Sequence, residues 1–224
     1  MTTLYLIRHC EASGNIDSTF QGWTDNSITE RGKQQLKALE QRFATVPLDA
    51  VYTSDLQRAY LTGCAVKGAH EIPIITRTDL REINGGAWEG LTWEQIEQRY
   101  PDDLYNWRHA PERHQCPDGE SFAQVQQRMT DAVLDIVKKH PGQSVAIASH
   151  GAALRCYLSA LQGYSLDRLY ESGVLMDNTA VSKVEFAPDG KHLICYLSDN
   201  SHLTAGDLST LAHTKKPWLP TQSR

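Results

Sequence analysis

Three short apolar runs, each ending abruptly in a polar motif that carries a cation or an imidazole, constrain this chain more than any other feature. Leu4-Tyr5-Leu6-Ile7 runs into Arg8-His9-Cys10-Glu11, Ala50-Val51-Tyr52-Thr53 into Ser54-Asp55-Leu56-Gln57-Arg58, and Ser144-Val145-Ala146-Ile147-Ala148 into Ser149-His150-Gly151. Runs of this length read as buried strands, and the polar residues after the second and third open helices. With another strand at residues 72–75, the alternation predicts a three-layer α/β fold whose central sheet is mostly parallel, with helices on both faces. The run at 144–148 is the most apolar and belongs at the centre. Parallel strands place their C-terminal ends on one rim, where helix N-termini add backbone donors. Arg8, His9, Arg58 and His150 therefore converge there. Planar guanidinium forks beside a nucleophilic nitrogen suit a phosphoryl group.

The segments between these strands supply the surroundings of the rim. Residues 12–27 read as a long loop carrying Asn15 and Gln21-Gly22-Trp23, and a loop of that length in a compact domain is usually functional. Thr29 caps a helix with Leu36, Leu39 and Phe43 on one face, ending before Pro47. Residues 76–90 hold Arg81, Glu82, Gly85, Gly86 and Trp88. Residues 91–117, with Trp93, Tyr100 and Trp107 among acidic residues and prolines, read as a small cap insertion over the rim. Its aromatic residues either pack the cap onto the sheet or wall an apolar pocket. A turn at residues 117–121 leads into an amphipathic helix with Phe122, Val125, Met129, Val133 and Val137 on its buried face. Asp189-Gly190 marks a hairpin between the last two strands. The expected organisation is one domain, 1–202, and a polar tail, 203–224, that is loosely ordered.

Composition limits the partners. A chain of 224 residues buries one sizeable core, and a net charge of −5 argues against non-specific nucleic-acid binding. No apolar run approaches a membrane span, and a strand starting next to Met1 leaves no room for a signal peptide, so a cytoplasmic location is expected. Cys10, Cys64, Cys116, Cys156 and Cys195 show no CxxC spacing and read as free thiols. His109, His114 and Cys116 fit no structural zinc spacing, so neither a metal nor a cofactor is expected.

The motifs 6–11 with Asn15, 21–23, Thr29-Glu30-Arg31-Gly32, 52–59, Leu80-Arg81-Glu82-Ile83 with Gly86 and Trp88-Glu89-Gly90, 117–121 and 149–151 together resemble the histidine phosphatase superfamily, in order over residues 3–185. That group includes cofactor-dependent phosphoglycerate mutase and the fructose-2,6-bisphosphatase and α-ribazole phosphatase branches. The resemblance implies that His9 attacks phosphorus to give a phosphohistidine, which water hydrolyses. Arg8, Arg58 and His150 would hold the phosphoryl oxygens, Asn15 would add a neutral donor, and Gln21, Gly22, Trp23 and Gly151 would line the pocket. Glu82 would protonate the leaving group, with Glu11 and Glu89 as competing carboxylates that otherwise orient Arg8 or a loop. Residues 86–96 are similar to the phosphatase branches and lack the basic segment of the mutases. A small phosphorylated metabolite is the expected partner, without nucleic acid or membrane; the residues give no oligomeric state. The alternatives are mutase-type transfer and a non-catalytic phospho-ligand scaffold. Cys10 departs from the family's usual glycine and reads as a buried small residue or a redox-sensitive thiol.

Overall fold

Alternation along the first strand, β1 (Thr2–Arg8), divides the core: Leu4 and Leu6 face one helical layer and Ile7 the other. The computed structural model describes residues 1–204 and 206–220. After β1 come α1 (Ser13–Ile16), α2 (Glu30–Phe43), β2 (Ala50–Thr53), α3 (Gln57–Lys67), β3 (Ile74–Thr76), α4 (Trp93–Arg99), α5 (Pro101–His109), α6 (Phe122–Lys139), β4 (Ser144–Ser149), α7 (Gly151–Leu161), β5 (Val181–Phe186), β6 (His192–Asp199) and α8 (Thr210–His213). The sheet runs β3-β2-β4-β1-β5-β6, with β1 to β4 parallel and the β5–β6 hairpin antiparallel. β4 lies between β2 and β1, as its apolar run predicts. Leu39, Phe43 and Val66 bring α2 and α3 onto the Ile7 face, while α6 and α7 cover the other.

Several local readings shift for identifiable reasons. β3 starts later than residue 72 because Pro73 has no N–H for the ladder; only its carbonyl pairs, accepting from Val51 at 3.0 Å. The loop at 12–27 contains the single turn α1. On α2 the inward position next to Leu39 belongs to Gln35, not Leu36. Buried Gln35 accepts from Glu11 N at 2.8 Å and donates to Leu208 O at 2.8 Å and Thr210 Oγ1 at 3.0 Å. These bonds hold the segment after Ser201 against the domain, so its described part is not the loose tail expected. Leu203 and Leu208 are buried, Asp177 accepts from the N–H groups of Thr210 and Leu211, and Trp218 reaches the cap. Residues 205 and 221–224 of that segment lie outside the described residues.

The cap folds as α4, α5 and a 3-10 turn, and both α4 and α6 open with capping boxes, Thr92 with Gln95 and Ser121 with Gln124. The 117–121 turn nests into the Glu82 loop: Ala87 N donates to Pro117 O at 2.8 Å and Glu120 N to Asn84 O at 2.9 Å. Gly86 makes this nesting possible. It sits at φ +51°, and a Cβ there would lie 2.1 Å from Pro117 O and 2.5 Å from the Asp118 carbonyl carbon. Gly86→Ala should therefore cost at least ~2 kcal/mol through strain and backbone overlap, read as a lower urea midpoint at unchanged slope. An unshifted midpoint would show that the two turns are not packed this way.

Candidate active site

The backbone after β1 is fixed on both sides before any ligand arrives. His9 N donates to Ser149 O at 2.9 Å, and its carbonyl accepts from Asn178 Nδ2 at 2.9 Å and Thr179 N at 3.3 Å. Thr179, a β-branched residue, is held at φ +60°, an uncommon conformation that the packed turn over-determines. The His9 ring is oriented by its own neighbour, with Nδ1 2.6 Å from Cys10 O. A carbonyl only accepts, so Nδ1 carries the proton and Nε2 keeps its lone pair.

Around that nitrogen the rim assembles as the strand ends predict. Arg58, 1 % exposed on the first turn of α3, donates to Gly22 O at 2.7 Å and Thr24 O at 2.8 Å, and so fixes the 21–24 loop. Arg8 donates to Met176 O at 2.7 Å. His150 is fully buried with its ring 5.1 Å from that of His9. Arg8 Nε, Arg58 Nε and both nitrogens of His150 are buried without a hydrogen-bond partner among the described residues. An unpaired buried polar group costs about 1–3 kcal/mol, so this concentration of them marks a place shaped for an anion. Gly151 keeps it open, since a Cβ there would sit between Arg8 Nε at 3.4 Å and Glu82 Oε2 at 3.7 Å.

Glu82 faces the same space. Its oxygens accept from Ile83 N at 2.9 Å, Ala153 N at 3.0 Å and Ala152 N at 3.1 Å, which places the carboxylate on the first turn of α7. Its carbonyl is held at 2.8 Å by both Trp23 Nε1 and an Arg128 NH2 group. The two competing carboxylates are occupied elsewhere. Glu11, fully buried, accepts from Thr29, Arg31 and Thr210, and Glu89 accepts from Trp23 N, Gly85 N and Thr24 Oγ1. Both organise loops, and neither contacts Arg8.

Arg8, His9, Asn15, Gln21, Gly22, Arg58, Glu82 and Gly151 line one pocket of about 110 Å³. His150 is not in that lining and adjoins it through its ring, 5.1 Å from that of His9. Trp23 is outside the lining, with the Arg81 guanidinium stacked 4.8 Å from its ring, and acts on the pocket through the Glu82 carbonyl. Asn15 accepts from Ala12 N at 3.0 Å, which leaves its amide nitrogen for a ligand. The apolar part of the remaining wall was not foreseen as a set: it includes Phe20, Trp93, Trp107, Leu175, Met176 and Trp218, with Arg155 beside them. Arg155 had one sequence signal, a lone cation in the apolar run of α7. Arg128 had none, yet it pairs both its Nε and NH2 with Glu120 at 2.8 Å and binds the carbonyls of Asp79, Arg81 and Glu82.

Cys10 has no positive φ, so no glycine is required there. Its thiol is buried away from the pocket, donates to Arg58 O at 3.6 Å, and is pushed up by burial to about 11. It stays protonated at neutral pH, which removes the basis for a redox-sensitive thiolate. His114 and Cys116 lie 3.3 Å apart in the core, whereas His109 stacks on Tyr105.

Burial first, then the neighbouring Arg58 charge, hold His9 and His150 well below the ordinary imidazole value of 6.5. Unfolded, both take up protons below about pH 6.5; folded, they remain neutral. The unfolded state thus binds more protons there, and stability falls as pH falls. Urea midpoints at pH 7 and pH 5 should show this loss, and it should be smaller in His150→Gln; an unchanged loss in that variant would mean that His150 is protonated in the fold.

The histidine phosphatase superfamily (branch 1) model matches residues 4–198. Phosphoserine phosphatase 1 of Hydrogenobacter thermophilus is 32% identical over 213 residues, 95% of this chain and 99% of that protein. The metal-independent phosphoserine phosphatase of Arabidopsis thaliana is 32% identical over 209 residues, covering 92% and 84%. The structure of Bacillus stearothermophilus YhfR superposes with a TM-score of 0.87 at 38% identity, over 91% of this chain and 100% of that one.

Proposed function

This chain belongs to the histidine phosphatase superfamily, and from that we propose a phosphatase that hydrolyses a small phosphorylated metabolite through a phosphohistidine. The observation that carries the mechanism is the 2.6 Å bond from His9 Nδ1 to Cys10 O, which leaves Nε2 unprotonated among buried nitrogens that have no partner. Nε2 attacks phosphorus in line, the bond to the bridging oxygen breaks, and Glu82 gives its proton to the departing alkoxide. Water then attacks the phosphohistidine and returns a proton to Glu82, the N–P bond breaks, and inorganic phosphate leaves. Arg8, Arg58 and His150 hold the non-bridging oxygens through both steps, with Asn15 as a neutral donor.

Two guanidinium groups supply the positive charge that this chemistry needs, so activity should persist in chelator. The metal-independent name of the Arabidopsis relative supports that reading. Five free cysteines support a reducing compartment, the cytoplasm. No described helix is long and apolar enough to cross a membrane.

A phosphomonoester panel tests the roles. His9→Ala should lower kcat by about 10⁴-fold or more and abolish the acid-labile phosphoenzyme; retained activity would refute His9 as the nucleophile, and a wild-type phosphoenzyme that passes its phosphoryl group to a second hydroxyl without hydrolysis would refute a hydrolase. Glu82→Gln should cost about 10²–10⁴-fold on alkyl phosphates and far less on p-nitrophenyl phosphate, whose leaving group needs no proton. Equal losses on both would remove Glu82 as the acid.

A further inference from the structure

Glu82 stands on a stretch that belongs to neither the sheet nor an α-helix. Between the 3-10 turns Thr78–Leu80 and Gly86–Trp88 the backbone has no ladder of its own, so its polar groups need partners from elsewhere. Arg128 of α6 meets most of that need. Its Nη1 donates to Asp79 O at 3.1 Å and Arg81 O at 2.7 Å, and its Nη2 to Glu82 O at 2.8 Å. Nε and Nη2 also donate side by side to the two carboxylate oxygens of Glu120, both at 2.8 Å. All five N–H groups of the guanidinium are thereby engaged. Glu120 returns to the same stretch, where Oε2 accepts from Asn84 N at 2.8 Å and its own N–H donates to Asn84 O at 2.9 Å. The two side chains are 19 % and 18 % exposed, and an ion pair so near the surface adds little to stability by itself. Its distinguishing feature is where the other donors point.

We infer that the Arg128–Glu120 pair positions Glu82 for proton delivery to the leaving group. This role rests on the phosphatase reading and on Glu82 as its acid, and adds two residues that are not in the pocket lining. The carbonyls of Arg81 and Glu82 belong to the two peptide planes that flank the Glu82 Cα, so one rigid guanidinium fixes both backbone torsions of that residue together. Glu120 fixes the plane of the guanidinium in turn. The carboxyl sits at the end of a short arm, and a turn of either peptide plane would carry it away from the bridging oxygen. Proton transfer needs hydrogen-bond contact, and a displacement of about 1 Å costs on the order of 10²-fold. His9, Arg8 and Arg58 are held by other bonds, to Cys10, Met176, Gly22 and Thr24, so losing the pair should spare phosphoryl binding and attack.

The readout is a ratio, because Arg128 also contributes to the field on His150, an effect that all esters share. kcat/KM for ethyl phosphate, whose alkoxide must be protonated, is divided by that for p-nitrophenyl phosphate, whose phenolate leaves unaided. Arg128→Gln should lower this ratio about tenfold or more, in the same direction as Glu82→Gln. Arg128→Lys keeps the charge, loses the planar fork and should not restore it. Added to Glu82→Gln, Arg128→Gln should change the ratio by less than about twofold, since no acid remains to be placed. A pair that serves only the fold gives an unchanged ratio in Arg128→Gln, or the same fall with and without Glu82, and either result overturns the inference. Should Arg128→Gln not fold, Glu120→Gln decides by the same ratio, because it leaves the arginine on its carbonyls and frees only its plane: a fall supports the role and an unchanged ratio overturns it. Equal losses on both esters in Glu82→Gln remove the acid and this role with it. A selective loss in Glu82→Gln beside an equal loss in Arg128→Gln overturns the positioning role alone and leaves the phosphatase reading standing.

Discussion

Two guanidinium ions buried without a carboxylate partner among the described residues set the terms for the rest of this structure. Arg8 and Arg58 are held by the carbonyls of Met176, Gly22 and Thr24, and burial lowers Arg8 to about 10. Carbonyl dipoles orient a cation without neutralising it, so both guanidinium groups keep positive charge directed at the site. Arg8 ties an irregular loop to the end of β1, and Arg58 ties another to the first turn of α3. The charge that makes an anion site is thus the same charge that shapes the loops around it, and the 21–24 and 174–178 segments owe their positions to it.

The same field accounts for the state of the imidazoles. A histidine beside two guanidinium groups and out of water is disfavoured as a cation, so His9 is neutral without needing an acidic orienting partner. A main-chain carbonyl one residue away does the orienting instead. Glu82 completes the arrangement from the opposite side. Its carboxylate lies on the first turn of α7, its carbonyl is held by Trp23 and Arg128, and the Gly86 turn locks the loop against residues 117–121.

What the sequence disclosed follows from this geometry. Strand ends are local features: an apolar run that stops at Arg8-His9 or Ser149-His150 shows both the strand and its rim, and parallel pairing then brings the ends together without further information. Glu82 was readable only through the resemblance, because its position depends on the fold of a loop. Arg128, on the polar side of α6, looked like any solvated helix residue; its bonds to Glu120 and to three carbonyls are contacts between segments far apart in sequence. The tail misled for a similar reason. Its polar composition suggested looseness, yet Thr210 and Ser209 meet buried acceptors on Glu11 and Asp177, pairings that no local pattern encodes.

This division between local and distant information runs through the pocket itself. Arg8, His9, Arg58 and His150 come from strand ends and the turns just after them, where the sheet fixes geometry to within a hydrogen bond. The apolar wall is built from Phe20 in the first loop, Trp93 and Trp107 in the cap and Trp218 in the tail, whose carbonyl accepts from Trp107 Nε1 at 3.1 Å. Those segments meet through aromatic edge and face contacts between 5.4 and 6.2 Å, which tolerate substitution and small shifts better than a directed hydrogen bond does. The two halves of the pocket thus rest on different interactions, directed hydrogen bonds at the strand ends and aromatic contacts between segments far apart in sequence, and Arg155 lines it from the helix that joins them.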